Sequence, residues 1–523
     1  MSGPGPTGGD AGPSPAPEPP TVSGGVGSDA PERAESVEVL SRVARRRRAQ
    51  RPVAGRTAAI VTVAVVVLGV AAVSALAPPP AASPTPAAGD GVGVAPADAH
   101  TSSLFCVTGA GADAGAGAAT TVSLVNDTGT AAIGVESAVG TAGGSPVRTQ
   151  VVVPARGVIT VNPAAGIASG ATASTFSFAR GGVTGTAVVS GPQGWSVAPC
   201  VTQVSSQWDF AGGSTSSGLL DLSLYNPTAA SAVVDVTFLT ADGTVLDPQA
   251  YQGIALGSGQ VVDETLGAYV QNQGVVSTLV QATSGAVVAT ELDQIAVPAG
   301  SGLALVNGTP GPSTTWRFPQ TTAVTGGSVT LAIANPGGSP VTANVAAGLP
   351  GATVEPHQLN VPARSVATYA VSSVAGWPLG SPYSLTVSAT GPVVVGRTVI
   401  APPGGSPPQA GIATGTTGSA TSWLVAGPGA PGLPSAPSGG IASLAVANPG
   451  ASTVDVRVRA LGAARSLAVA SVPAGSVTVF GSAQVGGLRP LIVTASGPVV
   501  VGAEGSPAAA PGVVSWSGFA LTG

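Results

Sequence analysis

The run Leu220-Asp221-Leu222-Ser223-Leu224-Tyr225-Asn226-Pro227 decides the fold class of this chain. Its leucines occupy alternate positions, so in extended backbone they share one face, and Asp221, Ser223 and Tyr225 share the other. That is the period of a half-buried strand. Asn226-Pro227 then ends it, because Asn favours turn geometry and proline fixes φ and removes a ladder donor. The alternation resumes at Val234, Val236 and Phe238, so the two runs predict a hairpin.

The same pattern returns along the 523-residue chain at intervals of about 100 residues. Three copies open on an aromatic start, Trp208-Asp209-Phe210, Trp316-Arg317-Phe318 and Trp423-Leu424-Val425, and end their first strand at Asn226-Pro227, Asn335-Pro336 and Asn448-Pro449. A turn follows, Val361-Pro362-Ala363-Arg364-Ser365 or Val472-Pro473-Ala474-Gly475-Ser476, with Leu256-Gly257-Ser258-Gly259 in its place in the second copy. The copies close on Ser284-Gly285-Ala286-Val287-Val288, Thr390-Gly391-Pro392-Val393-Val394 and Ser496-Gly497-Pro498-Val499-Val500. The first copy diverges. It starts near Leu104-Phe105-Cys106, has Asn126-Asp127 where the others have Asn-Pro, turns at Val153-Pro154-Ala155-Arg156-Gly157, and reads as closing on Val188-Val189-Ser190-Gly191-Pro192. About seven short strands per copy predict an all-β chain of about four tandem immunoglobulin-like β-sandwiches, over residues 101–203, 204–312, 313–420 and 421–523. The Gly/Pro stretches 401–420 and 426–440 read as loops, and Val514 to Phe519 as a last strand.

Residues 1–56 are expected to form a disordered cytoplasmic tail ending in the cluster Arg42, Arg45, Arg46, Arg47, Arg48, Arg51 and Arg56. Directly behind it, Ala58 to Leu76 carries no charge over 19 residues. At helical rise that run covers about 28 Å, against a hydrocarbon core of ~30 Å. The arginines ahead of it orient a single-pass transmembrane helix (57–77) with the C-terminal part outside the cytoplasm. Ala75-Leu76-Ala77 also matches a signal-peptidase site, but Pro78-Pro79-Pro80 behind it and the long segment ahead of it favour an uncleaved anchor. Residues 78–100 then read as a Pro/Ala-rich tether. On the outer side, Cys106 and Cys200 bracket the first copy and are expected to form a disulfide.

Composition argues against most chemistry. Charged residues make up 8% of the chain, there are two histidines, and the basic cluster lacks the aromatic residues of a nucleic-acid site. No spacing fits a zinc or calcium site, so neither metal nor cofactor is expected. Asp242 and Asp247 flank a hairpin turn. Asp263-Glu264 and Glu291/Asp293 are the densest acids and read as solvated positions on strands or loops rather than an acid/base pair. His357 reads as a surface loop residue. Trp208, Trp316 and Trp423 read as structural anchors, with ligand stacking as the interaction alternative. Asn126-Asp127-Thr128 and Asn307-Gly308-Thr309 are formal glycosylation sequons.

Taken in order, the Trp-x-Phe starts, Asn-Pro hairpins, Val-Pro-Ala turns and Gly-Pro-Val-Val closers resemble an uncharacterised actinobacterial envelope family, a domain of unknown function with secreted or membrane-anchored members, over residues ~100–523. The resemblance supplies no catalytic residue. The expected function is a non-enzymatic, membrane-anchored extracytoplasmic scaffold or interaction protein, with cell-wall polymer or envelope proteins as partners. A cell-wall glycan-binding module is the alternative, and a glycan-active hydrolase comes third.

Overall fold

The computed structural model describes residues 99 and 101–521, apart from 110–118, 142, 168–169, 192–193, 217, 298–299, 350–351, 375–376, 401–409, 428–440, 486–488 and 506–513. The expected tail, the Ala58–Leu76 span and nearly all of the tether lie outside these residues. Among the described residues no helix is long and apolar enough to cross a membrane. They all belong to one compact unit, Pro84–Gly523.

The chain is all-β, in four groups of strands. The first holds β1 (Ser102–Val107), β2 (Ala119–Asn126), β3 (Ala132–Gly140), β4 (Val147–Val153), β5 (Val158–Val161), β6 (Thr172–Phe178), β7 (Val183–Gly191) and β8 (Gly194–Pro199). The second holds β9 (Gln207–Asp209), β10 (Gly218–Tyr225), β11 (Ala232–Thr240), β12 (Val245–Leu246), β13 (Ile254–Leu256), β14 (Val261–Thr265), β15 (Val276–Ser284), β16 (Val288–Val297) and β17 (Gly300–Asn307). The third holds β18 (Ser313–Thr321), β19 (Ser328–Asn335), β20 (Val341–Leu349), β21 (Ala352–Thr353), β22 (His357–Val361), β23 (Ser365–Ala370), β24 (Tyr383–Ile400) and β25 (Ala410–Thr414). The fourth holds β26 (Ala420–Val425), β27 (Ile441–Ala447), β28 (Val454–Ala460), β29 (Ser466–Val472), β30 (Val477–Gly481), the one-turn helix α1 (Ser482–Val485), β31 (Leu491–Gly505), β32 (Val514–Ser517) and β33 (Phe519–Ala520).

One pairing scheme recurs in all four. In the first group one sheet runs β1-β6-β3-β4 and the other β5-β2-β7-β8, and the second group repeats this as β9-β15-β11-β12 and β14-β10-β16-β17. In the third and fourth groups the sixth and seventh positions fuse into one long strand, β24 or β31, whose first half pairs in one sheet and second half in the other. Each group therefore has eight positions, one more than the seven expected. The added one is the eighth, which in the third group is β25, inside the stretch 401–420 that reads as loop. Its residues, Ala410 to Thr414, are small except for Ile412, so no alternation of large side chains marks it.

Pairing also corrects the register of the first copy. Asn126 pairs with Val183, and Val125 with Thr184. The counterpart of Val287, Val393 and Val499 is thus Val183, behind Gly181-Gly182, and not the later Val188-Val189. The asparagine that precedes proline in three copies is present in all four, and its side chain is an internal clamp. Asn335 Nδ2 donates to the carbonyls of Ser339 (2.9 Å), Val361 (3.2 Å) and Pro362 (3.0 Å), and its Oδ1 accepts from Gly337 N–H (3.0 Å). Asn126, Asn226 and Asn448 make the same set. With its amide so committed and the residue buried, the first sequon offers no glycosylation acceptor.

Candidate functional site

The tryptophans that open three copies are buried, with relative exposures of 0%, 0% and 3% for Trp208, Trp316 and Trp423. Each indole N–H donates to a carbonyl at one equivalent position, Val287 (2.8 Å), Val393 (2.7 Å) and Val499 (3.1 Å). These bonds fit the anchoring role: they tie the first strand to the start of the seventh, and of the three only Trp423 lines the cavity described below. Each packs over a glycine just after the eighth strand or, in the fourth group, directly after β32. A methyl on Gly308 would lie 2.8 Å from the Phe210 ring and 2.9 Å from Trp208. Gly415 meets Phe318 at 3.0 Å, and Gly518 meets Trp423 at 3.2 Å.

The first copy solves the same problem differently. Register puts Leu104 and Cys106 where the others have Trp and Phe or Val. Cys200 N–H donates to Gly185 O just as Gly308, Gly415 and Gly518 donate to Ala289, Val395 and Val501. The expected Cys106–Cys200 disulfide is present, and it replaces the aromatic-over-glycine contact.

The acids of the second copy are the opposite of solvated. Glu291 and Asp293 pair with Leu222 and Leu220, so they share the leucines' face and point into the core, with exposures of 4% and 2%. Burial pushes the Glu291 carboxyl up to about 8. Burial, then the nearby Glu291, raises Asp293 well above the usual carboxylate range, with Ser214 N–H (3.1 Å) pulling the other way. Such acids are neutral in the fold but ionise in the unfolded chain. Their contribution is therefore fully present below about pH 4; that of Glu291 is lost as pH rises through its folded value of about 8, and that of Asp293 is lost above the usual carboxylate range. Glu291→Gln with Asp293→Asn is expected to raise the melting temperature at pH 8 by ~5 °C or more, and to change it little at pH 4. Thermal melts across that range check this, and an unchanged pH slope would refute it.

Asp263 accepts from Ser223 Oγ at 2.5 Å across a strand pair, and burial raises the half-buried Glu264. Asp242 accepts from Thr240 Oγ1 and Thr244 N–H, as a hairpin turn requires. His357 is exposed and opens strand β22 rather than lying in a loop, with its ring 5.5 Å from that of Tyr369. Glu264 and Glu291 flank Leu222 from its two neighbouring strands, whereas Asp242, in the β11–β12 turn, and His357, on β22, belong to other sheets. Among the described residues no cluster of His, Cys, Asp and Glu is arranged to hold a metal.

What sequence reasoning missed is the way the groups meet. β8 packs on β17, β17 on β25, β25 on β32, and β32 back on β8. The repeats form a closed circuit rather than an open array. Leu292, Leu303 and Leu305 complete the first group's core, and Ala410 joins the second's. The fourth group closes on the first through Trp195 and Trp516 (ring centroids 6.4 Å apart) and through Val125 against Leu424, Ile492 and Phe519. At that closure Gly505 has no room for a side chain, since a methyl would lie 2.5 Å from Trp195.

Where the eighth strands converge there is a cavity of about 220 Å³ with walls from all four groups. Val197, Leu305 and Ile412 make its apolar side, and Gln320, Arg397, Glu504 and Ser515 its polar side. Arg397 is buried, donates to Gln320 O, Thr321 Oγ1 (2.8 Å) and Ser515 Oγ (2.6 Å), lies over Phe318 and stands 3.9 Å from Glu504. Gln320 Nε2 donates to Glu504 (2.5 Å). Burial pushes Glu504 up to about 7 against the pull of Arg397 and Ser515. Burial lowers Arg397, against the pull of Glu504. Ala187, Glu291 and Ala503 occupy the register position of Arg397 in the other groups, so this ionic hub belongs to one quadrant only.

A family model described as "Family of unknown function (DUF5719)" matches residues 165–430, just over half of the chain. The chain belongs to this family. The match runs from the loop before β6 to just beyond β26, and so contains the second and third groups whole. No curated protein matches the sequence. Among solved structures the chain is similar to the crystal structure titled Thermotoga maritima 1070, at 16% identity over 20% of this chain and 93% of that one, with a TM-score of 0.19. It is also similar to a tetra-tandem repeat in the extending region of a large adhesion protein, at 14% identity over 80% of this chain and 99% of that one, with a TM-score of 0.12. Both superpositions are too loose to carry an argument.

Proposed function

We propose that this protein is a non-enzymatic scaffold or interaction protein of the bacterial cell envelope, built of four immunoglobulin-like β-sandwiches and held to the membrane by its N-terminal span. The observation that carries the reading is the closed circuit of eighth strands, which packs the four repeats against one another within one compact unit. The groups that acid–base chemistry would recruit are committed inward: Glu291 and Asp293 to the core, Arg397 and Glu504 to each other and to Gln320 and Ser515. The runner-up is a glycan-binding module. The cavity favours it, because Phe318 and Trp423 stand there beside Gln320 and Glu504.

A single preparation of full-length protein separates the two. Photo-crosslinking residues at Tyr269 and Leu379, exposed at 62% and 56%, are expected to yield discrete envelope-protein adducts in cells. Isolated wall polysaccharide is expected neither to co-sediment with the protein nor to gain reducing ends. Co-sedimentation abolished by Gln320→Ala would establish the glycan-binding alternative instead. Reducing ends that disappear with Asp263→Asn and Glu264→Gln would make it a hydrolase.

A further inference from the structure

The fourth and fifth strands of each group are opposite edges of its two sheets, and the mouth between them differs from copy to copy. In the second group Tyr251 packs on Tyr269 (5.4 Å between centroids) and its hydroxyl donates to Thr265 O at the end of β14. In the third, His357 on β22 meets Tyr369 on β23. In the fourth, α1 packs between β29 and β30, with Val485 buried. In the first group the mouth is an open groove of about 380 Å³ between β4 and β5.

Glu136 lines this groove at 3% exposure. Register from the clamp asparagines gives Val236, Val345 and Val458 as its counterparts, all fully buried core valines. Glu136 Oε1 accepts from Ser174 Oγ (3.0 Å). A carboxyl group in a site that holds valine three times over is costly for folding, and costs of that kind are characteristic of binding sites. The walls are aliphatic, from Val147, Val151, Ile159 and Val161. β4 and β5 are both sheet edges, and the outer face beside β4 exposes Ile133, Val135 and Val152.

We propose that this groove docks an extended segment of a partner protein, which adds as a strand along β4 and sends an Arg or Lys side chain inward to Glu136. Free edges supply main-chain hydrogen bonds, alternate side chains supply specificity, and a buried carboxylate supplies a charge-assisted partner for the cation. A glycan fits less well, because no aromatic ring lines the groove for a sugar to stack on. The proposal deepens the interaction reading and rests on it.

The test uses the full-length protein and a fluorescent peptide, Thr-Val-Arg-Val-Thr with blocked termini, followed by anisotropy. A version with norleucine for arginine is the control. The arginine peptide is expected to bind at least ten-fold tighter than the norleucine peptide. Both Glu136→Gln and Glu136→Val should erase that difference. Glu136→Val should also raise the melting temperature, which separates loss of binding from loss of fold. Equal affinity for the two peptides, an arginine preference that survives Glu136→Val, or competition by a neutral oligosaccharide that itself depends on Glu136 would each overturn the proposal. If the peptide fails while adducts at Tyr269 and Leu379 persist, the groove proposal falls and the interaction reading stands.

Discussion

Asn335→Asp is expected to destabilise the third group by ~4 kcal/mol or more, an amount comparable to the whole stability of a small domain. The substitution keeps the size and shape of the side chain and inverts its hydrogen bonding. Asn335 is fully buried, and its Nδ2 faces three carbonyls, those of Ser339, Val361 and Pro362. A carboxylate there would oppose three acceptors without water to screen it, and a protonated one would satisfy at most one of them. Pro336→Ala is the informative control. In the first copy Asp127 stands at that position, and Asn126 still makes the full set of bonds, so the proline change is expected to cost under ~1 kcal/mol. Denaturant unfolding with hydrogen exchange at β19 and β20 reads both. Equal losses for the two variants would mean that the proline ends the strand and the clamp is incidental.

The contrast shows what local sequence carries. Alternation in Leu220, Leu222 and Leu224 reveals the strand, but it reads as half-buried when both faces are covered: Asp221, Ser223 and Tyr225 are as buried as the three leucines. Asn-Pro exposes the turn, although the physical agent is the asparagine amide and the proline only accompanies it. The same locality explains the misses. Glu291 and Asp293 look like surface acids until their pairing with Leu222 and Leu220 turns them inward, and pairing is long-range information. The closure of Trp195 on Trp516 joins residues more than 300 positions apart and leaves no period behind it. Where β17 meets its neighbours, Gly302 lies against the Ala410 backbone and Leu305 N–H donates to Ser196 Oγ; such closeness of approach has no hydrophobic signature. The candidate sites follow suit: the cavity and the β4/β5 groove are both gaps between elements, visible only once the elements are positioned.

Opening the Cys106–Cys200 disulfide is expected to cost the first group ~4–5 kcal/mol on the chain-entropy account, given the sequence separation of 94 between the two cysteines. Both sulfurs lie in the core, with Cys106 and Cys200 each 1% exposed, so Cys106→Ser with Cys200→Ser adds the burial of two hydroxyls. The structural equivalence makes a sharper prediction. Leu104, Cys106 and Cys200 occupy the positions that hold Trp208, Phe210 and Gly308 in the second group. If the disulfide stands in for that aromatic contact, Leu104→Trp, Cys106→Phe and Cys200→Gly together should recover about half of the loss, because the incoming rings fill the space that Cys200 leaves. The indole N–H would find the Val183 carbonyl, the counterpart of the acceptor that Trp208 uses at Val287. Four sheet pairs in one chain need not unfold together, so hydrogen exchange at β1 and β6, which pair directly, is the measurement. Protection there should fall in the serine variant, return partly in the triple variant, and become indifferent to reductant. A triple variant no better protected than the serine pair would show that the cross-link works through the unfolded chain alone, and that the likeness of the two arrangements is one of position without function.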